Sequence, residues 1–133
     1  MSETRRAFST QPSELSTIRG FVRALAREGS FSDVADDLAL AATEACANAI
    51  LHTNGPEMTV SITTSADAIE IEIMDSGVFR PRIGVPELDG EGHRGFQLMI
   101  AMMDEVGIVE GTPSRPGTLV RLVKRKDPFA NAS

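Results

Sequence analysis

Residues 38–53 read LALAATEACANAILHT, an apolar run whose ionisable and amide side chains form one stripe. Glu44, Asn48 and His52 follow one another at four-residue spacing, which places them one turn apart on one face of an α-helix. The rest is mostly Ala, Leu and Ile, so this helix is expected to be largely buried. A buried polar group without a partner costs about 1–3 kcal/mol. The stripe therefore indicates protein partners, or a metal ion with its bound ligand.

The composition predicts one globular domain over residues 1–133. Hydrophobic residues make up 41% and charged residues 24% of the chain, as is ordinary for a globular protein. The packed core is expected over about residues 13–125, with a frayed tail over 127–133.

Charge and cysteine content narrow the class of protein. The net charge of −6 argues against direct nucleic-acid binding, which usually needs a basic surface. No segment approaches the roughly 20 apolar residues of a membrane span, and no apolar run follows Arg5 and Arg6 as a signal peptide would require. Cys46, the single cysteine, is interpreted as a small core residue. A cytoplasmic protein without membrane or nucleic-acid partners is predicted.

Working outward from residues 38–53, the periodicity of apolar residues predicts three helices and five strands. Three helices can cover one face of a mixed, mostly antiparallel sheet, so we predict an α/β fold, a two-layer α/β sandwich. The first half is predicted to hold an edge strand over 3–9, a helix from Pro12 or Ser13 to Glu28 with Ser13 as its N-cap, and a helix to about His52 whose N-cap is Ser32 or Asp33. Strands over 58–62 and 69–73 follow, joined by a turn at 65–67. An irregular loop over 78–94, a helix over 95–104 and strands over 106–110 and 118–124 complete the prediction.

Two further segments accompany the polar stripe. Asp75-Ser-Gly77 stands where a predicted strand ends, and residues 90–96, GEGHRGF, lead into a predicted helix. Each segment alone has an ordinary interpretation: the first as a turn, the second as a flexible loop, and the helix stripe as an exposed edge. A glycine-rich segment before a helix can also bind phosphate through free backbone N–H groups.

The three segments together, in this order, resemble the histidine kinase-like (GHKL) ATPase superfamily, which has the Bergerat ATP-binding fold. Within it, the chain looks most like the small anti-sigma factor serine/threonine kinases of bacteria. Residues 44–52 resemble the N-box, Asp75-Ser-Gly77 the adenine-binding box, residues 94–106 the second glycine box with its helix, and Gly117-Thr118 a terminal Gly-Thr pair. The likeness spans about residues 18–124.

The resemblance implies ATP and Mg²⁺ as ligands and assigns the residues around the phosphates. Asn48 would coordinate Mg²⁺, and Glu44 would act as the general base on the attacking hydroxyl. Gly92 and Gly95 would offer backbone N–H groups to the phosphates, and Arg94 would reach the terminal phosphate. The metal assignment suits the chemistry, because Mg²⁺ prefers oxygen ligands such as an amide oxygen, phosphates and water.

The resemblance also assigns the adenine contacts. Asp75 would accept a hydrogen bond from the adenine amino group, Gly77 would let the base approach the backbone, and Thr118 would support that contact. Phe79 stands where the family often has a further glycine, and Phe96 where it usually has leucine. The first departure implies weaker nucleotide binding or a different hinge of the lid.

The function implied is that of an ATP-dependent kinase that sequesters a sigma factor and phosphorylates a serine of an anti-sigma antagonist, a STAS-type protein. Arg19 lies where the family presents a charged partner contact, although an ordinary exposed arginine is an equal interpretation. Relatives often form homodimers. The alternatives are a nucleotide-binding regulatory module without kinase activity and, less favoured because no phosphoacceptor helix precedes the domain, the catalytic domain of a histidine kinase.

Overall fold

The computed structural model describes residues 2–52, 56–75, 101–109, 113–114 and 117–126. A short 3₁₀ turn precedes each of the two helices, over Pro12–Glu14 and Ser32–Val34. The helices and strands are, in chain order, β1 (Ser2–Ser9), α1 (Leu15–Glu28), α2 (Ala35–His52), β2 (Glu57–Thr64), β3 (Ala68–Asp75), β4 (Glu105–Val109) and β5 (Leu119–Arg125).

The five strands form one sheet in the order β1-β2-β3-β5-β4, so β1 and β4 are its edges. Every pairing among these strands is antiparallel. The predicted edge strand over 3–9 is confirmed, whereas the predicted mixture of strand directions is wrong for this part of the chain. A hairpin turn joins β2 to β3, and the Ser65 hydroxyl accepts hydrogen bonds there from the backbone N–H groups of Asp67 and Ala68, at 3.3 and 3.2 Å.

The core lies between one face of the sheet and the two helices. Strand residues alternate between the faces, and those that face the helices are buried, including Val60, Ile71, Ile73 and Leu122. α1 contributes Ile18, Val22 and Ala26 at helical spacing. α2 contributes Leu38 and a series of buried alanines, at positions 35, 39, 41, 42, 45 and 49. Among the helices of the described residues, none is long and apolar enough to cross a bilayer.

The helix termini differ from those predicted. Ser13 does not cap α1, because Pro12–Glu14 forms a 3₁₀ turn and Glu14 takes the N-cap position without a side-chain cap bond. Glu14 instead accepts a hydrogen bond from the Ser9 hydroxyl, at 3.2 Å. The caps predicted at Ser32 or Asp33 are likewise replaced by the 3₁₀ turn Ser32–Val34.

Of the three predicted helices, the structure describes two in full. The helix predicted over 95–104 falls mostly outside the described residues, as do the loop over 78–94 and the tail from residue 127. Its end is described: residues 101 and 102 are helical, and β4 begins at Glu105. Asp104 is not helical: its backbone N–H donates to the Val123 carbonyl oxygen, at 2.9 Å, and its carboxylate accepts a hydrogen bond from the Arg125 N–H, at 2.6 Å.

Cys46 is fully buried in α2, as the interpretation of a core residue required. Burial raises the pKa of its thiol to about 12, so the reactive thiolate is scarce at pH 8. We therefore expect the native protein to resist alkylation by iodoacetamide at pH 8, and the protein in guanidinium to be labelled to completion. Intact-mass measurement over time checks this. Labelling of the native protein as fast as of the unfolded protein would contradict it.

Candidate functional site

Four chain segments meet at one end of the sheet. Residues 53–56 are all that separate the end of α2 at His52 from the start of β2 at Glu57, so the last turn of α2 must lie near that end of the sheet. In the register, Met58 of β2 stands opposite Asp75, and Met74 stands opposite Leu119, the first residue of β5. The end of β3 and the start of β5 therefore lie at the same end as the end of α2.

Asp75 and Thr118 are in direct backbone contact at this end. The Asp75 N–H donates to the Thr118 carbonyl oxygen, at 3.1 Å. Asp75 is 4% exposed and Thr118 is 5% exposed, both unusual for polar residues. Asp75 shares the helix-facing side of β3 with Ile73, since the two are separated by one residue. A buried carboxylate in this position can accept an N–H donor from a ligand with high selectivity.

Gly117 fits closely against Asp75. Its φ is +111°, a conformation that side chains rarely adopt, and a Cβ there would lie 3.2 Å from the Asp75 carbonyl oxygen. The glycine thus allows the backbone before β5 to approach the end of β3 closely. The sequence indicated Gly117 only as the neighbour of Thr118. A glycine before a strand is a common turn signal, and its contact with Asp75 is visible only in the structure.

Replacing Gly117 with alanine should destabilise this end of the sheet by about 1–2 kcal/mol, because a Cβ is disfavoured at positive φ. The same change should weaken ATP binding, since the Asp75 carbonyl must move. Thermal melting and calorimetric titration with ATP measure the two effects.

The matched control for that variant is Gly20→Ala. Gly20 lies in α1, and a Cβ added there would meet nothing within 4 Å. Alanine at this position should therefore leave the free energy of unfolding unchanged or raise it by about 0.5–1 kcal/mol. A Gly117→Ala protein with the melting temperature and the ATP affinity of the unsubstituted chain would refute the role given to Gly117.

Glu44 and Asn48 lie one turn apart on α2, and both side chains are half-buried. Within the part of the chain that the structure describes, neither side chain has a hydrogen-bond or ion-pair partner. The helix packs against β3 and β5, so it lies over the strand that ends at Asp75 and the strand that begins directly after Thr118. An amide oxygen suits Mg²⁺, and a nearby carboxylate suits proton abstraction.

The structure describes only part of the predicted site. Asp75 and Thr118 are in contact, and α2 brings Glu44 and Asn48 toward the same end of the sheet. Arg19 is exposed on α1, next to the buried Ile18. The other predicted residues lie outside the described residues, namely Gly77, Gly92, Arg94 and Gly95, together with Phe79, Phe96 and the His52 side chain.

The donor set fits an adenine nucleotide with its metal ion. Asp75 offers a buried acceptor for the adenine amino group, Gly117 lets the chain before β5 pass close beside Asp75, and Asn48 offers one oxygen ligand. No group of three His, Cys, Asp or Glu side chains within the described ranges could hold a metal ion. A metal here would therefore draw most of its ligands from phosphate oxygens and water, as Mg²⁺ usually does.

The comparison with known families agrees with this arrangement. The family model of the histidine kinase-like ATPase domain matches residues 8–124, from the C-terminal end of β1 almost to the end of β5. No curated protein gives a significant match to the chain. The matched region includes every residue of the site discussed above, and domains of this family bind ATP. With nearly its whole length matched, and a buried carboxylate packed against a glycine at the end of the sheet, the chain belongs to the histidine kinase-like ATPase family.

Proposed function

We propose that this chain is an anti-sigma factor with protein serine kinase activity, which sequesters a sigma factor and transfers phosphate from ATP to a serine of a STAS-type antagonist. Membership in the ATPase family supports the nucleotide. The observation that favours kinase activity is the position of Glu44, one turn before Asn48 on α2. Transfer to a hydroxyl needs a base near the metal ligand, whereas holding a nucleotide does not.

Each residue has a chemical task in this proposal. Asp75 accepts a hydrogen bond from the adenine amino group, while Gly117 and Thr118 hold the Asp75 backbone in place. Asn48 contributes an oxygen ligand to Mg²⁺, and Glu44 takes the proton of the substrate serine. When bound, ATP would supply the phosphoryl group and Mg²⁺ would neutralise part of its negative charge. Gly92, Arg94 and Gly95 belong to the same proposal as phosphate-binding residues.

The partner side of the proposal is supported by Arg19. Its guanidinium is exposed on α1, and within the described residues no carboxylate lies within salt-bridge distance of it. On a chain with a net charge of −6, an unpaired exposed cation is suited to an acidic segment of a partner. Sigma factor and antagonist would compete for the chain in a partner switch.

The transfer reaction can be tested directly. The chain is incubated with ATP labelled at the γ-phosphate, Mg²⁺ and STAS-type proteins from the same cell, and the label is located by mass spectrometry. The proposal expects phosphoserine on one antagonist and none on its Ser→Ala variant. ATP binding without label on any of these proteins would favour the alternative, a nucleotide-binding regulatory module. Phe79, in place of a family glycine, is the observation that favours this alternative.

The adenine contact gives a separate prediction. The unsubstituted chain should bind ATP more tightly than GTP by about tenfold or more, because guanine presents a carbonyl where adenine presents an amino donor, and one lost charged hydrogen bond is worth about 1.5–3 kcal/mol. Asp75→Asn should reduce this preference, since an amide can donate to the guanine carbonyl. Competition titration with both nucleotides measures it. Equal affinities in the unsubstituted chain would contradict the role of Asp75.

A further inference from the structure

β1 is an edge strand whose outer side pairs with no other strand in the described part of the chain. It stands at one end of the strand order, and its register with β2 runs without interruption from Ser2 to Ser9. A bulge or a proline often blocks the free side of an edge strand, and β1 has neither. At about 3.4 Å per residue, its 8 residues make this edge about 27 Å long. The edge can therefore accept a further strand.

A groove lies between the helix-facing side of β1 and one flank of α1, and we call it the β1–α1 groove. Phe8 of β1 and Phe21 of α1 meet there edge to face, with ring centroids 5.7 Å apart. Toward the start of β1 the groove deepens into a cavity of about 120 Å³, whose lining includes Thr4, Leu25 and Glu28. Side chains alternate between the faces of a strand, so every second side chain of a strand added beside β1 would enter this groove.

Arg6 lies over the two aromatic rings of the β1–α1 groove. Its guanidinium carbon Cζ is 4.9 Å from the ring centroid of Phe8 and 5.8 Å from that of Phe21. Arg6 is exposed, and among the described residues no carboxylate lies within salt-bridge distance of it. Stacking on two rings orients the guanidinium, whose planar fork of N–H donors matches a carboxylate. This part of the groove therefore favours an acidic side chain.

The cavity fits a different kind of side chain. Its lining includes Thr4, Thr64 and Glu28, which bring two hydroxyls and a carboxylate. A hydroxyl or amine donor pairs with a carboxylate, which when ionised can only accept hydrogen bonds, whereas a second carboxylate would be repelled. Thr4 and Arg6 are separated by one residue on β1, and residues so spaced in a strand lie about 6.8 Å apart on one face. An added strand can therefore present an acid to Arg6 and a donor to the cavity from two alternate positions.

We propose that the β1–α1 groove binds an extended segment of a partner protein, which adds to the sheet beside β1 with an acidic side chain on Arg6 and a hydroxyl- or amine-bearing side chain in the cavity. Strand addition draws affinity from main-chain hydrogen bonds and specificity from pockets for alternate side chains. The groove is separate from Arg19, because two residues correspond to about 200° around a helix and Phe21 therefore lies on the other flank of α1. Binding here needs no nucleotide, so it can fail or succeed independently of the kinase proposal.

Selection of short, random displayed peptides on the nucleotide-free chain tests the proposal. The selected peptides should share an acidic residue, with serine, threonine or lysine two positions away. The strongest binder, synthesised with a fluorescein label, should bind Arg6→Ala at least about tenfold more weakly, since a hydrogen bond to a charged group is worth at least that factor. Arg6→Glu should instead prefer the same peptide with lysine in place of its acid. Arg6 is exposed, so folding should persist, and circular dichroism checks it; if Arg6→Ala does not fold, Arg6→Gln takes its place.

The matched control is Arg19→Ala, which removes the same charge from the other flank of α1 and should bind the peptide like the unsubstituted chain. Hydrogen exchange read by mass spectrometry should slow in β1 when the peptide is bound. Failure to select any binder, a shared pattern without the acid, unchanged affinity in Arg6→Ala, an equal loss in Arg19→Ala or protection away from β1 would overturn the proposal. So would protection of β1 that rises with protein concentration in the absence of peptide, because a second copy would then occupy the edge.

Discussion

Replacing Asn48 with alanine should lower the affinity for Mg·ATP by about a hundredfold or more, beyond the 10–100-fold that is typical for losing a group that only supports a metal ligand. Asn48 is the one residue of the proposed site that contributes a metal ligand from α2, so its loss removes the direct bond between that helix and the metal. Calorimetric titration with ATP in the presence of Mg²⁺ measures the effect.

The metal dependence distinguishes this role from a general loss of structure. In EDTA, the unsubstituted chain and Asn48→Ala should bind ATP with similar, weak affinity, because neither then uses the metal. Asn48→Asp keeps an oxygen at the same place and should retain Mg²⁺-dependent binding. If Asn48→Ala binds Mg·ATP as well as the unsubstituted chain does, the metal assignment is wrong.

The second large effect is expected at Glu44, where the isosteric Glu44→Gln variant should spare ATP binding and slow phosphoryl transfer by about 10²–10⁴-fold, the usual contribution of a general base. The amide keeps the size of the side chain but cannot take up the serine proton. Single-turnover transfer to the antagonist and a parallel ATP titration separate the two quantities.

A control on the same helix shows whether charge alone matters. Asp37→Asn removes a carboxylate from the exposed first turn of α2, and transfer should stay at the rate of the unsubstituted chain. Transfer by Glu44→Gln at that same rate would remove Glu44 from the mechanism. Weakened ATP binding with a proportionate loss of transfer would instead make Glu44 a nucleotide-binding residue.

The strands and helices were largely predictable because their signals are local. The alternation of Ile69, Ile71 and Ile73 with two glutamates specifies a strand with one covered face, and it places Asp75 on that face two residues further on. The helix starts were less predictable. The chain enters α1 through a 3₁₀ turn at Pro12–Glu14, and the competition between this turn and a Ser13 cap is decided by contacts outside the segment.

The site was predictable in residue identity but not in geometry. Neither composition nor periodicity indicates that β5 inserts between β3 and β4, since pairing between strands far apart in sequence depends on the whole chain. That insertion is what brings Thr118 to Asp75. Asp75 and Thr118 were predicted as site residues from the family resemblance alone, which does not require the strand order to be known. The close contact of Gly117 could not be predicted from the sequence, because it involves the carbonyl of a residue more than forty positions away along the chain.

The hairpin closed by Ser65 fixes the pairing of β2 with β3, and side chains alternate between the two faces of a strand with a period of two. A slip of this pairing by one residue would exchange the surroundings of Met74 and Asp75 together, sending the acid to the solvent side and the thioether to the side of the helices. A slip by two would keep both on their faces. The closed bend at Ser65, together with the pairing of β3 to β5, therefore also selects which of the two side chains lines the proposed nucleotide site.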